Sequence, residues 1–562
     1  MLSLFIVMAI GSPLLAAALI ALSDSSAPER IVKTGIWAMV VSAAAAIGTL
    51  YEVVHQGPEL LSLSALPAPF TPAILVDRLS AVMMVLITGV SLVIHIYSKR
   101  YMQGDPDYIR FFSLLGLLTF VLLSLVTSGN LLWLFVYWHA VTWLLKALLS
   151  FNKVGVAASQ AGRSVLYVQG IGDTALLVAI MLIYITFGTL DLTRLFQMIN
   201  DMPARPVWGS GTWWEIDAIT AVTLVLVMTV MTKSAQFPFH VWLSGTIEAP
   251  TPVSAMLHAG IVNAGGFLVN RMAPLYGLAP DALYVLFVVG AVTVLIGAST
   301  MLTQPSIKRT LVYSTMGQMG YMVMECGLGA FGLAIFHLAA HGLFKATLFL
   351  NSGAGIHKAR TEFRLPGRHP ARESAGFAFM PWATGLAITL VLPLLIMLMA
   401  HGVVNIPLFE AQGAMIFLFF AWVTSSQAIF SLYRLNAVAS WKLSATMVAA
   451  LALIGLTYLW AGESFTHFLY PEPGVAAAYF QAAAWNQGLF DLFVACSTFL
   501  VISVWIVLYG KARGVRLLLP SWLEPLHTRL YVLFLNALYV EDFMRSIRRR
   551  RPAVVSHQRP HG

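Results

Sequence analysis

Charge is scarce in this chain. Of 562 residues only 10% are Asp, Glu, Lys or Arg, while 59% are hydrophobic and the mean hydropathy is +0.81. Soluble domains carry about 25% charged residues, so water is not the solvent for most of this surface. Cysteine is scarcer still. Cys326 and Cys496 lie in separate apolar stretches, which excludes a disulfide framework and a cysteine-built zinc or iron–sulfur site within this chain. There is no glycine-rich phosphate loop, no GxSxG and no HExxH, so no soluble catalytic signature competes for the reading. No polar, charge-mixed block the size of a soluble domain interrupts the apolar pattern, and neither a cofactor site nor a catalytic site of the protein's own is expected. The excess of 33 Lys+Arg over 24 Asp+Glu does not point to nucleic acid. It lies in loops between apolar runs and in a terminal tail, the distribution expected of membrane topology.

What is present is a succession of apolar runs. A spanning helix needs about 20 mainly apolar residues, because only a helix satisfies its own backbone across the bilayer core. Fifteen stretches qualify, with approximate limits 2–22, 34–54, 77–97, 110–128, 130–151, 164–187, 216–236, 251–270, 282–303, 310–327, 330–352, 377–400, 413–433, 443–461 and 487–510. The chain therefore reads as an all-α polytopic membrane protein of about 14–15 transmembrane helices. The first span lacks a preceding basic region and a convincing cleavage site, so it is expected to be retained. Alternating the loops puts 26 Lys and Arg on one side and four, Arg78, Arg194, Arg205 and Arg271, on the other. The positive-inside tendency then sets the N-terminus outside and the C-terminus in the cytoplasm of a bacterial inner membrane.

Three basic residues, Lys146, Lys233 and Lys345, fall inside spans. An ionisable group in hydrocarbon costs about 2.5–3.5 kcal/mol on insertion scales, so each needs a partner or a purpose. Lys233 opens the run Lys233-Ser-Ala-Gln-Phe-Pro238, and a second proline, Pro393, interrupts the run that ends at His401. Broken helices in two halves of a membrane protein point to a transport site; a plain proline kink is the alternative. For Lys233 itself the alternative is snorkelling to the interface. His337, His341 and Lys345 recur every four residues and share one helical face. Such a column can pass protons through intervening water, or serve as a polar seam between helices. His139 and Lys146 share a face of the fifth span, and His258, Asp173 and Glu325 complete the intramembrane set. Gly265-Gly266 reads as a close helix contact.

The stretches Lys233-Ser-Ala-Gln-Phe-Pro-Phe-His-Val-Trp242 and Glu248-Ala-Pro-Thr-Pro-Val-Ser-Ala-Met-Leu-His258 closely resemble the signature of the antiporter-like proton-translocating subunits. Those include complex I subunit L, the large Mrp antiporter subunit and the DabB subunits of inorganic-carbon transporters. Ile307-Lys-Arg-Thr-Leu-Val-Tyr-Ser-Thr315, Gln318-Met-Gly-Tyr321 and Phe336-His-Leu-Ala-Ala-His-Gly-Leu-Phe-Lys-Ala346 extend the likeness over about residues 70–400. The resemblance implies two inverted five-helix repeats with broken helices. It divides the chain into N-terminal helices (1–108), a first repeat (109–270), a second repeat (271–435), C-terminal helices (436–510) and a basic cytoplasmic tail (511–562). It further implies that Lys233 is the central protonatable lysine and that His258, His337, His341 and Lys345 belong to a buried polar axis. With His139, Lys146, Asp173, Glu248, Lys308 and His401 these make up the expected proton pathway.

Two departures stand out. Where proton-pumping relatives have a glutamate in the fifth helix, this sequence reads Val136-Tyr-Trp-His139, and the terminal lysine of their broken twelfth helix is replaced near His401 and Gly402. Lys233 then needs another counter-charge, and Asp173 is the candidate, with His139 as a titratable relay. The compact length looks most like DabB, which implies a membrane subunit carrying H+ or Na+ and a DabA-like zinc protein on the cytoplasmic side that hydrates CO2. A complex I-type pump subunit, a cation/proton antiporter subunit and a degenerate scaffold are the alternatives.

Overall fold

A computed structural model describes residues 1–23, 28–62, 70–152, 155–212, 215–361, 460–512 and 523–543. Helices α1 (Leu2–Ala21), α2 (Pro28–Gln56), α3 (Arg78–Tyr101), α4 (Tyr108–Val126), α5 (Leu131–Leu149) and α6 (Val156–Phe187) follow one another as long apolar rods. A short helix α7 (Leu192–Asn200) precedes α8 (Ala218–Lys233). Among the described residues nine helices are long and apolar enough to cross a membrane. Large side chains such as Leu15, Trp37, Ile96, Ile185 and Leu295 are exposed on them, a surface that suits lipid and not water. The three expected spans at 377–400, 413–433 and 443–461 lie outside the described residues, save for the end of the last, within the helical segment 460–469.

Asx side chains start the helices on one face of the molecule. Asp77 accepts a hydrogen bond from the Ser80 amide (2.8 Å), Asn130 from Leu132 (2.9 Å), Asp191 from Arg194 (2.8 Å) and Asp217 from Thr220 (2.9 Å), satisfying amides that the first turn leaves open. The same loops are stitched together by backbone bonds, Leu75 N to Thr127 O, Leu131 N to Leu190 O and Leu192 N to Gly129 O. Two small antiparallel hairpins, Glu59–Ser62 with Ala73–Val76 and Val207–Trp208 with Ile216–Asp217, also lie in the connections. No strand was expected there, because four- and two-residue strands leave no period-2 signal.

Two expected spans differ from continuous rods. The seventh stops at Lys233. The eighth is split into α10 (Thr251–Ala259) and α11 (Ala264–Arg271) by a 3-10 turn at Ile261–Asn263, and between the two spans lies α9 (Val241–Ser244). The proline motif marked the first break, whereas the second falls at Gly260, where no proline announces it. After α12 (Ala273–Tyr276) come α13 (Pro280–Thr303), α14 (Ile307–Gly327) and α15 (Phe331–Thr361). Glycine lets α13 and α14 meet backbone to backbone: a Cβ on Gly290 would stand 2.5 Å from Met324 N, and one on Gly327 would stand 2.3 Å from Phe287 N. Close approach of this kind fixes the rotation of α14, and with it the direction of its polar side chains.

Arg271, read from the sequence as one of four loop charges, is instead buried at the end of α11. Its guanidinium holds Asp77 at 2.6 and 3.3 Å and donates to Ser80 Oγ and Val126 O, tying α11 to α3 and α4. Burial alone would raise the Asp77 carboxyl, but Arg271 and the Ser80 hydrogen bonds outweigh it and hold the group below the usual carboxylate range.

Candidate ion-translocation site

The end of α8 is held open by side chains. Ala235 takes a left-handed backbone (φ 49°), a conformation that costs a non-glycine residue about 1–3 kcal/mol. The Trp242 indole donates to Thr232 O (2.9 Å), Gln236 Nε2 to Ser234 O (2.8 Å), and Ser234 Oγ to Val262 O (2.7 Å) in the second break. A Cβ on Gly265 would meet Ser234 Oγ at 2.4 Å, so the Gly265-Gly266 contact expected from the sequence is what brings the two breaks together.

Lys233 emerges here with its side chain fully enclosed. Its Nζ donates to Trp138 O (3.0 Å) and Thr142 Oγ1 (2.8 Å) and stands 3.8 Å from Asp173 Oδ1. Asp173, on α6, is 4% exposed; its Oδ2 is 2.8 Å from His139 Nδ1 and 3.0 Å from Thr142 Oγ1. The other ring nitrogen of His139 faces Trp143 Nε1 at 2.9 Å. An indole can only donate, so Nε2 carries the lone pair and Nδ1 carries the proton given to Asp173. His139 is thus neutral in this arrangement, and the other oxygen of Asp173 is left facing Lys233. Lys146 follows along the same face of α5, its Nζ 5.8 Å over the Trp143 ring.

The second cluster lies between α14 and α15. His337 Nδ1 is 3.0 Å from Glu325 Oε2, and its Nε2 is 2.9 Å from Gln318 Oε1. The His341 ring is 6.2 Å from that of His337, and neither of its nitrogens has a hydrogen-bond partner among the described residues. Lys345 Nζ donates to Ser314 Oγ at 2.8 Å. His258 ends α10 stacked on Phe349, one turn past Lys345, with ring centroids 4.3 Å apart.

Of the residues singled out in the sequence, Lys233, Asp173 and His139 come together, as do His258, His337, His341 and Lys345. Glu248 and Lys308 do not join either group: Glu248 is exposed, and Lys308 Nζ donates to Ile247 O (3.3 Å) at the edge of the fold. His401 lies outside the described residues. Sequence reasoning gave no part to Thr142, Trp143 and Ser314, and it assigned no pairing to Glu325. A signal for the α14 group existed: Ser314, Gln318 and Glu325 are spaced by four and seven, one polar stripe facing the histidine column.

A lysine–carboxylate pair buried at a broken helix, with a histidine–lysine column on α15, fits the class of antiporter-like membrane subunits. Residues 128–367 match the family described as NADH:quinone oxidoreductase/Mrp antiporter, TM, and residues 64–112 the N-terminus of complex I chain 5. A relative from Halothiobacillus neapolitanus, called probable inorganic carbon transporter subunit DabB1, is 40% identical over 544 residues, covering 94% of each chain. The chain belongs to the DabB family of multi-pass membrane subunits. Subunit 5 of the chloroplastic NAD(P)H-quinone oxidoreductase of Phaseolus vulgaris is 38% identical over 54% of this chain and 40% of its own length. The fold is shared with a chain of the Mrp complex from Dietzia sp. DQ12-45-1b (TM-score 0.57, 22% identity, 99% of this chain and 61% of that one). It is shared too with a chain of an archaeal membrane-bound sulfane sulfur reductase (TM-score 0.54, 20% identity, 92% and 99%).

Proposed function

We propose that this protein is the ion-translocating subunit of an inorganic-carbon transporter in the bacterial inner membrane, with its N-terminus outside and its C-terminus in the cytoplasm. The observation that carries the reading is the fully enclosed Lys233, 3.8 Å from Asp173 at the break in α8. Removing two charges from water is expensive, and the pair is retained in a sequence that otherwise avoids charge. H+ or Na+ moving down its gradient past Asp173 alters the cost of carrying charge on Lys233, which is how movement of an ion becomes work on the surrounding helices.

Full-length similarity to a relative named for inorganic-carbon transport supports the substrate, and the antiporter-like family supports ion movement. The chemistry on CO2 belongs to a DabA-like zinc protein on the cytoplasmic side, drawn to the basic segment 358–372 and the tail. The membrane subunit carries no catalytic site of its own. The two inverted repeats, at 109–270 and 271–435, belong to the same proposal.

The test is growth in ambient air of a carbonic-anhydrase-deficient bacterial host. Rescue is expected when the subunit is produced with its zinc-bearing partner, and is expected to fail with either protein alone, with Lys233→Met, or with an uncoupler present. Rescue by this subunit alone, or rescue that survives collapse of the ion gradient, overturns the proposal.

A further inference from the structure

The two carboxylates of the buried set are held alike. Asp173 grips a histidine Nδ1 through Oδ2, Glu325 grips one through Oε2, and the second oxygen of each is enclosed without a hydrogen-bond partner among the described residues. Asp173 Oδ1 faces Lys233, whereas Glu325 Oε1 has no cation beside it among the described residues. Glu325 lies two residues before the end of α14, at the opposite end of that helix from Lys308 and Arg309. Its side chain is 2% exposed, a depth at which an unpaired negative charge is costly.

The hydrogen bonds fix how many protons the pair holds. Gln318 presents its carbonyl oxygen to His337 Nε2, so Nε2 carries a hydrogen. The 3.0 Å contact between Nδ1 and Oε2 therefore contains one proton, placed either on the carboxyl or on the ring, and transfer between them leaves the hydrogen bond intact. On the carboxyl side both groups are neutral; on the ring side they are an imidazolium and a carboxylate.

We infer that Glu325 is the proton-accepting group through which the His337–His341–Lys345 column exchanges protons with the side of the membrane opposite the basic loops. The inference rests on the ion-translocation reading above and narrows it, because a shared proton makes H+, and not Na+, the ion of the second repeat. The step is a transfer only. The Glu325 proton moves to His337 Nδ1, and the imidazolium so formed gives its Nε2 proton through water to His341, whose ring is next in line at 6.2 Å. Water on that face reprotonates the carboxylate, and a turn of the His337 ring returns an N–H to Gln318.

The experiment uses the full-length subunit produced with its partner, in membrane vesicles whose gradient-driven proton uptake is followed with a pH-indicating dye. Glu325→Gln keeps the volume and can still hydrogen-bond His337 but cannot take up a proton; uptake is expected to fall at least tenfold at equal membrane content. Glu325→Asp is expected to retain at least a third of it. Wild-type uptake in Glu325→Gln, with Lys233→Met inactive, overturns the role of Glu325 and leaves ion translocation standing. Wild-type uptake in Lys233→Met defeats the underlying reading instead. Should Glu325→Gln not accumulate, Gln318→Met decides: it keeps Glu325 but frees the tautomer, so a severalfold loss supports the inference and unchanged uptake overturns it.

Discussion

The two buried clusters use similar residues to opposite effect. Around Lys233 a donor, the Trp143 indole, faces the far nitrogen of His139 and fixes that ring as neutral. Around Lys345 an acceptor, the Gln318 carbonyl, faces the far nitrogen of His337 and leaves a mobile proton between the ring and Glu325. Exposure differs as well: the His139 side chain is 46% exposed while that of His337 is 8%. The first cluster is a compact node, lysine and carboxylate hydrogen-bonded to one threonine and the histidine held on the carboxylate. The second is a line in which an intervening His341 separates the carboxylate from the lysine. The contrast teaches that the chemistry of a buried histidine is set by what its other nitrogen meets, not by the carboxylate it shares.

Substitutions separate the roles of the two clusters, and the largest effect is expected at the node. Lys233→Met should lower gradient-driven transport at least about a hundredfold, equivalent to about 2.7 kcal/mol, with membrane content unchanged. Asp173→Asn keeps an oxygen for His139 and Thr142 while removing the counter-charge. It should cost about ten- to a hundredfold, since a buried ammonium left without its partner loses about 3–5 kcal/mol of compensation. In the column, His341→Ala or Lys345→Ala should lower transport about tenfold, of the order of one general acid–base group's lower range or less. Either should exceed Lys358→Ala, in the last turn of α15 and away from both clusters; equal effects at all three would argue for a scaffold.

Trp143→Phe sharpens the contrast at smaller amplitude. It removes the donor that pins His139, so transport should change about two- to threefold. Transport identical to wild type would show that the indole does not set the state of the ring.

The smallest effect on transport is expected away from both clusters, at Asp77→Asn, which should instead lower thermal stability by about 3–5 kcal/mol by stranding Arg271. Because the folded Asp77 carboxyl is held below its ordinary value, its contribution is complete above about pH 4 and disappears as pH falls through that lower value. Melting of the wild type in detergent should therefore be insensitive to this pair between pH 5 and 8, and the variant should lie below it throughout that range.

Composition and run length were enough to place the protein in a bilayer, and described helices such as Leu2–Ala21 and Pro280–Thr303 fall within a few residues of the runs that announced them. The reason is physical: in hydrocarbon each backbone amide must be satisfied within its own helix, so a long apolar run has one solution. The break after Lys233 was legible because proline removes a donor wherever it stands. The break at Gly260 was not, because what opens it is Ser234 reaching Val262 and Gly265 from another segment.

Residue type and spacing likewise determined that His337, His341 and Lys345 share a face and that Lys233 needs a counter-charge. Tertiary structure alone decided that Asp173 stands 3.8 Å from Lys233, that Trp143 and Gln318 give the two histidines opposite tautomers, and that Arg271 is a buried tie to Asp77 and not a loop charge. Helical periodicity orders residues within one segment. Which donor meets which acceptor across segments depends on helix rotation and close approach, and these are set by contacts such as Gly290 and Gly327 against the facing backbones.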